Sequence, residues 1–205
     1  LLFPFHAAQI WSGEEYGGFY IWSHTDQLLY MVSTAIYPWF MTLLFALAGI
    51  STRFALQKRT TKEYLMQRYR SLLLPAIFGI LILAPIMTYV AEIFFNGYTG
   101  GYWNQYLLFF TKPTDLSGYH GGFTPAHFWF LLYLFLLSTV FILLRQCKRR
   151  WFPQLKIPIP NYPFLLLLFV PIWAALYLFN IGRKSIGQFF AFFLLGYCIL
   201  SRQYQ

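Results

Sequence analysis

From Pro125 to Leu144 the chain runs for twenty residues without one formal charge. About 20 residues of helix rise ~30 Å, the thickness of a bilayer core, so this run predicts a membrane-crossing helix. It opens Pro125-Ala-His127-Phe-Trp129-Phe130. An imidazole and an indole therefore stand at the mouth of the helix, where an amphipathic ring is comfortable half in water. The remainder of the chain agrees with a membrane setting. Charged residues make up 10% and hydrophobic residues 59%, whereas a soluble domain carries about 25% charged residues. The expected fold class is an all-α, polytopic transmembrane helical bundle.

Six spans are expected, at about 1–11, 28–50, 72–90, 125–144, 162–179 and 185–200, forming one membrane-embedded domain over 1–205. The chain begins inside one apolar stretch and ends just after another, so the expectation is the N-terminal part of a larger bundle. Pro38 and Pro85 lie within spans and should kink them. Ala46, Gly49 and Ser51 are small enough to let a neighbouring helix come close. Thr60-x-x-Glu63 fits a capping box, and Leu65, Tyr69 and Leu72 then share one helical face. Ser51–Arg70 is therefore read as ending in a short basic helix lying along the membrane surface. Glu92 is placed just beyond the third span, Tyr102–Phe110 as a short interfacial helix, Arg145–Trp151 as a basic loop, and Asn180–Lys184 as a tight turn.

The net charge of +9 does not point to nucleic acid, because the basic residues flank apolar runs, as topology determinants and lipid contacts do. Arg53, Lys58, Arg59, Lys62, Arg68, Arg70, Arg145, Lys148, Arg149, Arg150, Lys156 and Arg202 fall on one side of the six spans. Lys112, Arg183 and Lys184 fall on the other, together with Glu14, Glu15, Asp26, Glu92 and Asp115. The positive-inside rule makes segments 51–70 and 145–156 cytoplasmic in a cell membrane. Cys147 and Cys198 are isolated, with neither a CxxC pair nor a histidine at metal spacing. No metal is expected, and no phosphate-cradling GxxxxGK[ST], HExxH or GxSxG is present.

Among ionisable groups His6 stands out, because an ionisable residue inside a span is costly unless it is paired or solvated. Two readings stand side by side. A buried imidazole stays neutral and can take a proton near neutral pH; equally, it can simply bond a neighbouring helix. For His127, at a helix start after a Gly-rich loop, the physical reading is an interfacial anchor or cap. The basic segment Ser51–Arg70 suits anionic lipid, and equally an anionic donor, since arginine forks match phosphate oxygens.

Three separated stretches, in order, resemble the acyltransferase-3 family of multispanning membrane acyltransferases, of the envelope glycan O-acyltransferase type. Phe5-His6-Ala-Ala lies in the first span. A Leu-Ala-Gly-Ile-Ser segment ends the second, followed by Arg68-Tyr-Arg70-Ser-Leu-Leu-Leu-Pro75. His127-Phe-Trp129-Phe130-Leu opens the fourth, and Phe189-Phe-Ala-Phe-Phe-Leu-Leu-Gly196-Tyr adds a Phe-rich, Gly-ended helix. The resemblance implies transfer of an acyl group from acyl-CoA (acetyl-CoA or similar), as co-substrate, to a hydroxyl of an envelope carbohydrate or other acceptor. It makes His6 the general base, and Arg68 and Arg70 the residues for the donor's phosphates; Arg53, in the same basic segment, is taken as donor-binding with them. His127 and Trp129 are taken as substrate-binding. Where the family pairs arginines as Arg-x-x-Arg, this chain has one residue between Arg68 and Arg70. The alternative is a transporter or exporter of a glycan or lipid-linked substrate, without covalent chemistry, its cavity lined by the kinked spans.

Overall fold

The computed structural model describes residues 10–11, 26–151, 169–178, 180–181 and 184–201. The expected first span with His6, the polar loop after it, and the Pro-rich approach to the fifth span fall outside these residues, residues 10–11 excepted. Helix α1 is Gln27–Lys58, and helix α2 runs through Thr61–Asn96. Helix α3 is Tyr102–Thr111. A 3-10 turn at Ala126–Phe128 leads into α4, Trp129–Trp151. Helix α5 is Phe169–Ala175 and α6 is Ile186–Cys198. Strands β1 (Asn180–Ile181) and β2 (Lys184–Ser185) pair antiparallel, with Asn180 opposite Ser185 and Ile181 opposite Lys184. That pairing brackets the tight turn expected there, whose residues 182–183 lie outside the described ones.

Three stretches are helical, long and apolar enough to cross a membrane: Gln27–Lys58, Thr61–Asn96 and Ala126–Lys148. Ile186–Cys198 is apolar but shorter. The described residues thus carry three such helices rather than six, and they run past the expected ends. Residues 51–58 continue α1, and Arg145–Trp151 is helix, not loop. Nothing in either segment breaks a helix, and a long cationic side chain extends its charge toward water while its backbone stays helical. The basic surface helix is corrected likewise. Thr61–Arg68 is the start of α2 itself. Its Thr60 cap is formed in both directions, with Glu63 N–H donating to the Thr60 hydroxyl and Thr60 N–H to the Glu63 carboxylate at 2.8 Å. Its inward residue is Tyr64, while Tyr69 is exposed, so the face expected through Leu65, Tyr69 and Leu72 is rotated.

Two turns of α2 are widened to π geometry, Tyr69–Leu73 and Gly79–Leu83. Each precedes a proline, Pro75 and Pro85. A proline has no N–H to give and its ring crowds the carbonyl one turn back, and a widened turn is one way a helix absorbs this. Leu74 N–H accordingly donates to Tyr69 O, and Ala84 N–H to Gly79 O. Gly97, at φ +62°, then ends α2.

By contacts the chain forms two compact units, Leu1–Trp39 with Ala76–Trp129, and Phe40–Pro75 with Phe130–Gln205. In the second unit α1 and α6 meet backbone to backbone. A Cβ on Gly49 would strike the Phe193 carbonyl, and one on Gly196 the Ala46 carbonyl. Without a hydrophobic drive between helices in lipid, such close approach supplies dispersion contact instead. Ala46 and Gly49 do what their size predicted; Ser51 is exposed. Beside this crossing Phe45 stacks on Phe189 (4.6 Å) and meets Phe130 edge-on (5.1 Å). Helix α6 starts where Ser185 accepts from Gln188 N–H at 3.2 Å and donates to Ala175 O at 3.1 Å.

The first unit packs differently. Ala91 and Tyr119 form its centre with Met87, Phe95 and Ala126. The Phe128 ring lies against the bare Cα of Gly79 in the second widened turn.

Candidate functional site

The arginines of the sequence reading lie in the second unit. Arg68 sits one turn after Tyr64, and both face Thr52 of α1. Thr52 is 0% and Tyr64 1% exposed. The Thr52 hydroxyl donates to Ala48 O at 2.7 Å, so in the 2.8 Å bond between the Tyr64 and Thr52 hydroxyls it is Tyr64 that donates. Each oxygen is left with room to accept. Arg68 Nε donates to Tyr64 Oη at 3.0 Å and Arg68 Nη2 to Thr52 Oγ1 at 3.2 Å. The guanidinium also lies 5.1 Å from the Tyr64 ring centre. A guanidinium has five N–H donors in a fixed fork; among the described residues two are used here, and the charge is met by dipoles rather than by a carboxylate. Next along α1, Arg53 Nη1 donates to Tyr197 O at 3.4 Å.

Arg70 is not in this network. It is exposed and lines a shallow groove with Lys62, Glu63, Met66, Gln67 and Ser71. Lys58 and Arg59 border a second groove against Glu63 and Gln67, and Arg59 donates to the Gln67 amide oxygen. Four cations therefore surround one acid. The structure thus anchors Arg68 and Arg53 among α1, α2 and α6 residues and leaves Arg70 on a solvated face. Two residues along a helix turn about 200°, which is why Arg68 and Arg70 separate.

His127 and Trp129 belong to the first unit, at the entrance to α4, and are half-buried. The loop before them is tightly made. Leu116 (φ +66°) and Ala126 (φ +45°) occupy the left-handed region, where a non-glycine residue costs on the order of 1–3 kcal/mol. Each has its N–H taken by a threonine two residues earlier, Leu116 by Thr114 at 2.9 Å and Ala126 by Thr124 at 3.0 Å. The two threonine hydroxyls then donate across the loop, Thr124 to Leu116 O at 2.8 Å and Thr114 to Phe123 O. His6, expected to act as base, lies outside the described residues.

Sequence reasoning missed Thr52 and Tyr64 as partners of Arg68, although Tyr64 and Arg68 stand at i and i+4, the spacing that brings side chains together. It also placed Glu92 past the end of a span. Glu92 is inside α2, 5% exposed, and paired with Lys112 at 3.0 Å.

Long apolar helices carrying a hydroxyl-held arginine at one end and a structured aromatic loop elsewhere define an integral membrane protein with polar sites built into its helix ends. A family model described as an acyltransferase domain matches residues 3–203. The chain belongs to this family, acyltransferase-3, and is an acyltransferase. That membership removes the reading as a transporter without covalent chemistry. No curated protein and no solved structure matches the chain.

Proposed function

We propose that this acyltransferase moves an acyl group from cytoplasmic acyl-CoA to a hydroxyl of an envelope carbohydrate or similar acceptor. The observation that carries the donor assignment is Arg68, held by Tyr64 and Thr52 with no carboxylate among the described residues against it. A charge anchored by hydroxyls keeps its attraction for phosphate oxygens and holds a fixed direction. Arg53 and the exposed Arg70 add to this basic end, which by the positive-inside rule faces the cytoplasm of a cell membrane. His6 acts as general base. Its imidazole takes the acceptor's hydroxyl proton as the oxygen attacks the thioester carbonyl. The tetrahedral intermediate then collapses with loss of the CoA thiolate, which takes the proton from the imidazolium, leaving an ester and free thiol. His127 and Trp129 bind the acceptor.

Thioester turnover tests the reading. The full protein in lipid is given acyl-CoAs with envelope glycans, and wild type is compared with His6→Ala and Arg68→Lys. CoA release that His6→Ala abolishes, with folding retained, and an acyl-CoA KM raised in Arg68→Lys are the expected results. Failure of the wild type to release CoA with any glycan would remove both donor and acceptor assignments.

A further inference from the structure

Outside the arginine network, one buried polar cluster has no role in the chemistry above. Glu92 accepts from Lys112 Nζ at 3.0 Å, with 41% of the lysine side chain exposed. Gln105 of α3 is 1% exposed and donates through Nε2 to Gly121 O at 2.9 Å. Gly121 has φ +70°, and a Cβ there would meet both the Gln105 amide nitrogen and the Glu92 carboxylate. Asn96, at the end of α2, donates to Tyr119 O at 3.0 Å. Three separate pieces of chain, α2, α3 and the 112–124 loop, are thus tied at one point. Burying an acid and an amide in a membrane protein is costly unless every group is met, so the cluster fixes the loop only while it is complete.

We propose that the Glu92–Lys112–Gln105–Gly121 cluster is a clasp that positions the acceptor-binding end of the enzyme. It seats the 112–124 loop on the end of α2, so that the chain enters α4 at a fixed point and presents His127 and Trp129 in one orientation. The strained Ala126 beside His127 is consistent with this, since strain persists only where surrounding contacts over-determine it. Glu92 acts as a positioning residue, through the loop and not on the reacting atoms. The proposal rests on the acceptor assignment of the preceding section.

Hydrogen exchange and kinetics on the full protein in lipid nanodiscs test it together, using Glu92→Gln, Lys112→Met and Gly121→Ala. The neutral Glu92→Gln keeps the shape and one acceptor, so it folds most readily. In every variant, exchange in the 112–124 peptide is expected to rise about tenfold or more, while the middle of α4 is unchanged. In acyl transfer the acceptor KM is expected to rise about tenfold, with kcat and the acyl-CoA KM near wild type, and Glu92→Asp is expected to recover part of it. Loop exchange equal to wild type in all three variants overturns the clasp. Faster exchange with an unchanged acceptor KM overturns the positioning role and leaves a structural tie. A wild type that transfers to no glycan overturns the acceptor assignment and the positioning role with it, a result distinct from variants that match an active wild type.

Discussion

One unit holds a cation with hydroxyls and the other holds a cation with a carboxylate. Arg68 rests on Tyr64 and Thr52, so its charge is oriented, and no described carboxylate cancels it. Lys112 faces Glu92, so its charge is cancelled and its work is mechanical. The helices around the two differ in the same way. Around Arg68, α1 and α6 are joined by bare backbone at Gly49 and Gly196 and need no polar group for cohesion. Around Lys112, the loop is held by its threonine ties and by Tyr119 packed on Ala91, and is joined to α2 and α3 by the ion pair and its amide neighbours. Where packing supplies the cohesion, the guanidinium is not called on for it.

The largest effect should come from the backbone crossing. Gly196→Leu forces a side chain onto the Ala46 carbonyl and is expected to cost about 3 kcal/mol or more, measured by unfolding in detergent. A stability near wild type would mean α1 and α6 do not meet as described. Glu92→Ala comes next. Breaking a fully buried pair costs ~3–5 kcal/mol, but Lys112 is partly exposed and regains water, so about 2 kcal/mol is expected. Arg68→Lys sharpens the contrast with Lys112→Arg. The first loses the fork and should raise the acyl-CoA KM about tenfold with little change in melting temperature. The second should leave that KM alone. Equal effects from the two would show that charge matters at this enzyme but its setting does not.

The smallest effect concerns pH and lies in the same loop as the clasp. The Ser117 hydroxyl and backbone N–H hold the Asp115 carboxyl below its usual range. A lowered folded pKa means the stabilisation is present above the unfolded value of about 3.9 and is lost as pH falls through the folded one. Loop protection from exchange should therefore decline as pH drops below about 4, and Ser117→Ala should flatten that decline. An identical pH response in Ser117→Ala would remove Asp115 from the account.

Some of this was legible in the residues themselves. The Thr60–Glu63 box works at both ends because its chemistry is local. Ala46 and Gly49 were readable as a contact surface because size alone decides close approach. The basic ends of α1 and α4 were not, because charge was taken as the end of a helix when it marks only where side chains reach water. Tyr64 and Arg68 turn inward while Tyr69 turns out, which reverses the apolar-in rule on which the face was chosen. Pairs such as Glu92 with Lys112, or Thr52 with Arg68, join positions sixteen or twenty apart. Helical periodicity reaches only one or two turns, so nothing in the pattern could announce them.

The widened turn at Tyr69–Leu73 makes α2 unusual in what it tolerates. A loop forgives a lost residue and often not a changed one; this turn should behave the other way round. Its residues are exposed or half-exposed, so most substitutions there should pass unnoticed. Deleting Ser71, however, would return the turn to ordinary winding and shift the helical register of Thr61–Arg68 against that of Leu74–Asn96 by about 100°. In a deletion scan this short stretch would stand out as a place where length is fixed and, Arg70 apart, spelling is free.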